Sequence, residues 1–377
     1  MDLGFTEEQE MLRKMARDFL TEKCPKTHVR EMEEDEKGYS PEVWAEMAGL
    51  GWLGLPLPEK YGGGGMDFVD LAVLLEEMGR ALLPSPFFTT VVVSGLTIAE
   101  AGTEEQKQKY LPLIAQGKAI FTLALTEDSA SYEADGIAVK ATADGNDYVI
   151  SGTKLFVPDA HVADYLLCAA RTKEAANKEE GITLFIVDAK SPGISCTVLQ
   201  TISSDKLCEV TFDKVKVSRE NILGKPDQGW PLVKKIIQLG AAGKCMEMAG
   251  ASQAVLEMTT DYAKERIQFG VPIGSFQAVQ HHCANMKVDV DGTRYISYEA
   301  AWTLSEGLSC AKEVSMAKAW VSDAHRRVCA LGHQVHGGIG FTKDHDMQLF
   351  FRRAKAAELI FGDAEFHREL VARELGL

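Results

Sequence analysis

The sequence predicts an α+β protein: an N-terminal helical domain, a central β domain and a C-terminal four-helix bundle. Three observations carry this. Helix start signals recur through the first third, short β-rich runs crowd residues 120–217, and helical patterns far longer than the ~11-residue average helix fill the rest. The expected boundaries are 1–118, 119–226 and 227–377.

Thr6-Glu7-Glu8-Gln9 is a capping-box pattern, followed by Leu12, Met15, Ala16 and Phe19 at helical spacing. Ser40-Pro41-Glu42 opens a second helix, with serine as cap and proline in the first turn. The four glycines 62–65 break the pattern, and Phe68–Arg80 resumes it. Thr103-Glu104-Glu105-Gln106 repeats the capping signal.

Strands are expected at Phe121–Thr126, Tyr148–Ser151, Tyr165–Ala169, Ile182–Val187 and Val210–Val217, with turns at Asp144–Asp147 and Ser191–Gly193. Residues 172–180 read as a solvated loop. Four long helices are then expected at Leu239–Gln268, Phe276–Gly307, Lys312–Gln334 and Asp346–Glu374. Consecutive helices of that length with short links pack best as an antiparallel bundle.

The chain has 377 residues, 46% of them hydrophobic, enough to bury a large core. Its formal charge of −15 argues against nonspecific nucleic-acid binding, which needs a surplus of Lys and Arg. The eight cysteines form no CxxC pair, which suits reduced thiols and a cytoplasmic setting. The N-terminal stretch reads as an amphipathic helix start rather than a signal peptide, and no apolar run approaches the ~18 residues of a membrane span.

Several motifs point to chemistry. They are Leu125-Thr126-Glu127, Lys154-Leu155-Phe156-Val157-Pro158-Asp159, Ser203-Ser204-Asp205 with the strand after it, Arg266-Ile267-Gln268-Phe269-Gly270, Phe276-Gln277-Ala278-Val279-Gln280, and Gln334-Val335-His336-Gly337-Gly338-Ile339-Gly340-Phe341. In this order they resemble the acyl-CoA dehydrogenase family over essentially the whole length.

The resemblance implies FAD as cofactor and an acyl-CoA thioester as substrate. Leu125, Thr126, Phe156, Pro158, Arg266, Phe269, Phe276, Gln277, Gln334, Gly337 and Gly338 are then the expected cofactor-binding positions. Arg266 suits a pyrophosphate through its planar fork. Gly337 and Gly338 allow close backbone approach. The resemblance also implies a homo- or heterotetramer, with flavin contacts across a subunit boundary, and an electron-transferring flavoprotein or similar acceptor.

Four departures stand out. The family's catalytic glutamate precedes a glycine; here that position is Phe361, before Gly362. Its known alternative falls at about Gly240, which has no side chain. Pro158 replaces a threonine whose hydroxyl meets the flavin. The glycines expected after Thr126-Glu127 are absent, and Gly240-Ala241-Ala242-Gly243 lies inside an expected helix, its small residues making room for an acyl group or allowing close packing.

The catalytic base is therefore left open. Asp363 is a weak candidate, with a helix-cap or flavin hydrogen bond as the plainer reading. Glu247 lies two helical turns beyond Gly240, ~10 Å away, and Glu365 reads as a solvated or inter-subunit charge. His281-His282 and His333/His336 lack the carboxylates or cysteines that would complete a metal site, so no metal is expected. Three functions remain: an acyl-CoA dehydrogenase with a non-standard or missing base, one subunit of a heteromeric acyl-CoA dehydrogenase whose partner supplies the glutamate, or a non-catalytic flavin or acyl-CoA scaffold.

Overall fold

A computed structural model describes residues 4–377; the first three residues of the N-terminal stretch lie outside it. In chain order the helices are α1 (Glu7–Lys23), α2 (Lys26–Glu34), α3 (Pro41–Gly49), α4 (Phe68–Ala81), α5 (Leu96–Ala101), α6 (Glu104–Ala115), α7 (Trp230–Glu265), α8 (Gln277–Ser305), α9 (Ala311–His336), α10 (Met347–Leu359) and α11 (Ala364–Glu374). The strands are β1 (Phe121–Ala124), β2 (Lys140–Asp144), β3 (Asp147–Pro158), β4 (Tyr165–Arg171), β5 (Ile182–Asp188), β6 (Ile194–Val198), β7 (Leu207–Ser218), β8 (Ile222–Leu223), β9 (Ile267–Gln268) and β10 (Val271–Pro272). No helix among the described residues is long and apolar enough to cross a membrane.

The start signals act where expected. Thr6 and Thr103 make full capping boxes with Gln9 and Gln106, and Ser40 caps α3 through the Val43 amide. Asp67 caps α4.

The contacts divide the chain into two compact units. One gathers the chain up to Glu31, Asp67–Leu83 and Ala241–Leu377. Here α9 packs against α8, α10 and α11, and α4 against α1 and α8. Two buried carboxylates of α4 tie it together. Glu76 accepts from Arg13 (3.2 Å), Arg294 (3.1 Å) and the Tyr298 hydroxyl (2.6 Å). Glu77 takes a bidentate pair from Arg17 (2.9 and 2.6 Å).

The other unit spans Met32–Met66 and Pro84–Gly240 and holds an eight-stranded sheet. Its order is β6-β7-β3-β2-β4-β5-β8, with β1 running parallel to β4. Strands β4 and β5 are buried almost throughout, whereas β7 alternates through Cys208, Val210 and Phe212 before a shift in register.

Three expectations need correction. The stretch Asp346–Glu374 is two helices, because Phe361 (φ 59°) and Gly362 (φ 94°) adopt left-handed backbone that a right-handed helix cannot contain. The first bundle helix begins at Trp230 rather than Leu239, and Gly240-Ala241-Ala242-Gly243 stays helical and buried within it. Strands β2 and β6 and the π-helix Phe88–Gly95 were not anticipated.

Candidate functional site

In the sheet unit, the strand end after β1 is laced to an irregularity in β3. The register between β3 and β7 shifts between Lys154 and Val157, which places Leu155 and Phe156 in a bulge. The Leu155 amide donates to the Thr126 carbonyl (2.9 Å), and the Thr126 hydroxyl donates to the Leu155 carbonyl (2.7 Å). Lys154, fully buried, reaches the Leu125 carbonyl (2.9 Å) and Glu127 Oε1 (2.7 Å). Glu127 also accepts from the Ala138 and Val139 amides (3.0–3.1 Å), so the buried pair has partners for its remaining groups.

This bracing holds Phe156 at φ 57° with 45% of its surface exposed. A bulky residue at positive φ costs of order 1–3 kcal/mol and persists only where its surroundings fix it. Leu125, Thr126, Phe156 and Pro158 are thus brought into one assembly. The Thr126 hydroxyl has given its proton to Leu155, so toward a ligand it is an acceptor.

In the helical unit, the turn joining α10 to α11 is pinned on every side. Lys318, fully buried on α9, donates to the Glu358 carbonyl (2.8 Å), the Gly362 carbonyl (2.8 Å) and the Ser322 hydroxyl (3.2 Å). Burial lowers its pKa to about 8. His367 Nε2 donates to the Phe361 carbonyl (2.9 Å). A Cβ on Gly362 would lie 2.2 Å from the Phe366 ring, so only glycine fits there. Phe361 is 4% exposed. Asp363, the substitute base weighed above, caps α11 by accepting from the Phe366 amide (2.9 Å). Glu247 is ion-paired with Lys244, and Glu365 with Arg368.

The remaining candidates gather at one end of the bundle. Tyr262, near the end of α7, stacks on His336, the last residue of α9 (ring centroids 4.5 Å apart). That contact joins the Arg266–Gly270 and Gln334–Gly340 motifs, and sequence reasoning did not foresee it. Beyond Tyr262 the β9–β10 hairpin carries Phe269, 92% exposed at φ 54°, with its ring edge-on to Phe276 (6.0 Å). Gln277, Gln334, Gly337 and Gly338 are all exposed.

These residues fit an FAD. Among the described residues, the Arg266 guanidinium has no hydrogen-bond or ion-pair partner, as expected of a cation kept for a phosphate. A Cβ on Gly337 or Gly338 would meet nothing within 4 Å, so the space over that backbone is open. Among the described residues no group of three or more His, Cys, Asp or Glu is poised for a metal. Lys154 and Glu127 lie in motifs the sequence singles out, but their buried pairing was not foreseen, nor were Lys318 and His367 as positioning residues.

Comparison with known proteins decides the family. Profiles described as the N-terminal, middle and C-terminal domains of acyl-CoA dehydrogenase match residues 6–118, 122–215 and 227–376. The chain belongs to the acyl-CoA dehydrogenase family. It is 32% identical to a probable acyl-CoA dehydrogenase, YngJ, of Bacillus subtilis (strain 168), over 100% of both chains. It is 30% identical to subunit CarC of the caffeyl-CoA reductase-Etf complex of Acetobacterium woodii (98% of each chain). Among solved structures, a chain of the ChsE4-ChsE5 complex from Mycobacterium tuberculosis matches with a TM-score of 0.92 and 29% identity, covering 100% of this chain and 99% of that one. Acyl-CoA dehydrogenases are FAD-dependent oxidoreductases, and their relatives include members of Etf complexes and of hetero-complexes.

Proposed function

We propose that this acyl-CoA dehydrogenase binds FAD, takes an acyl-CoA thioester, and works beside a partner chain that supplies the proton-abstracting carboxylate. The carrying observation is Phe361. It occupies a turn held rigidly by Lys318, His367 and the Asp363 cap, in the manner of a residue that must be presented in one orientation. Its side chain has no atom that can accept a proton. Gly240 has none either, and Asp363 is committed to the helix start.

When bound, FAD supplies the acceptor for the hydride that leaves the acyl β-carbon. This chain's own residues bind and orient. Arg266 would pair with the pyrophosphate, Gly337 and Gly338 would admit close approach, and Phe269 and Phe276 would pack on the adenosine half, with Gln277 and Gln334 at hand as hydrogen-bonding amides. Leu125, Thr126, Phe156 and Pro158 would border the flavin, where Pro158 offers neither hydroxyl nor N–H. Proton removal from the α-carbon requires a desolvated carboxylate, and the similarity to a chain of the ChsE4-ChsE5 complex supports a second subunit as its source. A heterotetramer in the cytoplasm, passing electrons to an electron-transferring flavoprotein, completes the reading.

The test is to purify the chain alone and co-expressed with a glutamate-bearing homologue. Visible spectra are recorded before and after anaerobic addition of linear, branched and cyclic acyl-CoAs. The chain alone should be under-loaded with FAD and inert, and the complex yellow and bleached by its substrate. Bleaching of the chain alone by a linear acyl-CoA would overturn the partner requirement. A yellow complex that no acyl-CoA bleaches would indicate a scaffold.

A further inference from the structure

The sheet carries a thiol pair that acyl-CoA chemistry does not use. Strand register sets Cys196 of β6 opposite Val210 of β7, and Cys208 of β7 opposite Val198 of β6. The two cysteines are diagonal neighbours on one face, because residues two apart along a strand point the same way. Of the eight cysteines, Cys196 is the exposed one, while Cys208 is fully buried.

His161 completes the cluster. Its Nε2 lies 3.0 Å from the Lys37 carbonyl, which can only accept, so Nε2 carries the ring proton. Nδ1 is then an acceptor, 3.8 Å from Cys208 Sγ, and the Cys208 thiol donates to it. The neighbouring Cys196 thiol holds the Cys208 pKa below the ordinary thiol value; burial opposes this and His161 reinforces it. The proximity of Cys208, together with burial, pushes Cys196 up. Those opposite directions leave Cys196 protonated at rest, so its proton must pass by way of Cys208 to His161 Nδ1 as the exposed sulfur attacks, and His161 then gives it to the departing oxygen.

We propose that Cys196, Cys208 and His161 form an oxidant-sensitive site that closes to a disulfide across β6 and β7 when it meets a hydroperoxide. The Cys196 sulfur attacks the peroxide, the O–O bond breaks, and a sulfenic acid forms with release of water or an alcohol. Cys208, its proton passed to His161 Nδ1, attacks the sulfenic sulfur. An S–S bond forms, the S–O bond breaks, and the departing hydroxide leaves as water with the proton from His161. Two thiols are oxidised by two electrons and the peroxide is reduced.

Closure requires the edge strand to move. Diagonal neighbours sit ~7–8 Å apart at Cα, slightly beyond the ~4.4–6.8 Å a disulfide spans. β6 is an edge strand with β7 as its one neighbour, so it can tilt the remaining distance without breaking a second ladder.

The experiment treats native protein with one equivalent of hydrogen peroxide, then counts thiols after denaturation and maps peptides without reduction. The count should fall from eight to six, with a Cys196–Cys208 link, and return to eight with dithiothreitol. Cys208→Ser should stop at a sulfenic acid on Cys196 that dimedone traps. His161→Gln should reach the same disulfide at least tenfold more slowly. The proposal is overturned if the first thiols lost map elsewhere, if Cys196 proceeds to sulfinic acid in the wild type, or if either variant matches wild type in product and rate.

Discussion

Gly79 on α4 and Gly250 on α7 each lie against the other helix's backbone. A methyl group on Gly79 would sit 2.0 Å from the Glu247 carbonyl oxygen, and one on Gly250 would sit 1.7 Å from the Glu76 carbonyl oxygen. The crossing depends on both residues lacking a Cβ, and it sets the position of Glu76 among Arg13, Arg294 and Tyr298. Gly250→Ala should destabilise the protein by about 1–3 kcal/mol or more, since the methyl meets backbone rather than a side chain that can turn away. Denaturant unfolding followed by circular dichroism reads the change; an unshifted midpoint would mean the helices are not in contact there.

Arg266→Ala should lower the FAD content of the purified protein several-fold while leaving its helix content unchanged. The side chain is exposed and holds no partner among the described residues, so folding loses nothing, whereas a charge-assisted contact to pyrophosphate is lost. Absorbance of released flavin after denaturation measures the effect. Equal FAD in both proteins would remove Arg266 from the site.

Phe361→Glu should create α,β-dehydrogenation of linear acyl-CoAs in the FAD-loaded chain, with a gain of about 10²–10⁴-fold set by general-base catalysis. The position is only 4% exposed, so burial should raise the new carboxyl's pKa and the gain should grow as pH rises through it. In a heteromer whose partner already carries a base, the same change should do less. Rapid bleaching of the unmodified chain by a linear acyl-CoA, without a partner, would show that a base is already present.

His325 and His367 predict how acid unfolds the protein. Burial lowers both to about 4, from 6.5. The unfolded chain therefore binds more protons between those values. The stability each contributes is fully present above pH 6.5 and is lost as pH falls toward 4, by up to about 3 kcal/mol apiece. His367→Gln, which keeps a donor for the Phe361 carbonyl, should flatten the loss of stability between pH 6.5 and 4. An identical slope in wild type and variant would show that His367 is protonated in the folded state.

Local chemistry made much of this readable. The caps at Thr6, Ser40 and Thr103 involve residues three apart, and the strands of the sheet core are apolar runs that stand out in any context. The break at Phe361 was missed because the apolar spacing continues across it, although Gly362 followed by Asp363 is the glycine stop and acidic cap that separate two helices. Arg266, Phe269 and the Gly337-Gly338 pair were legible because their motifs are contiguous. Lys154 and Lys318 were not, since a lysine is buried only when distant carbonyls converge on it. Nothing adjacent in the chain announces Leu125 for one or Gly362 for the other.

The hold on the α10–α11 turn has a further consequence. Four hydrogen bonds that hold it end on the main chain: Lys318 on the Glu358 and Gly362 carbonyls, His367 on the Phe361 carbonyl, Asp363 on the Phe366 amide. None of these four bonds uses the side chain of residue 361. Architecture and reactivity are therefore independent variables at this point, and a mute subunit and a reactive one can share the same backbone, differing in what a single socket displays.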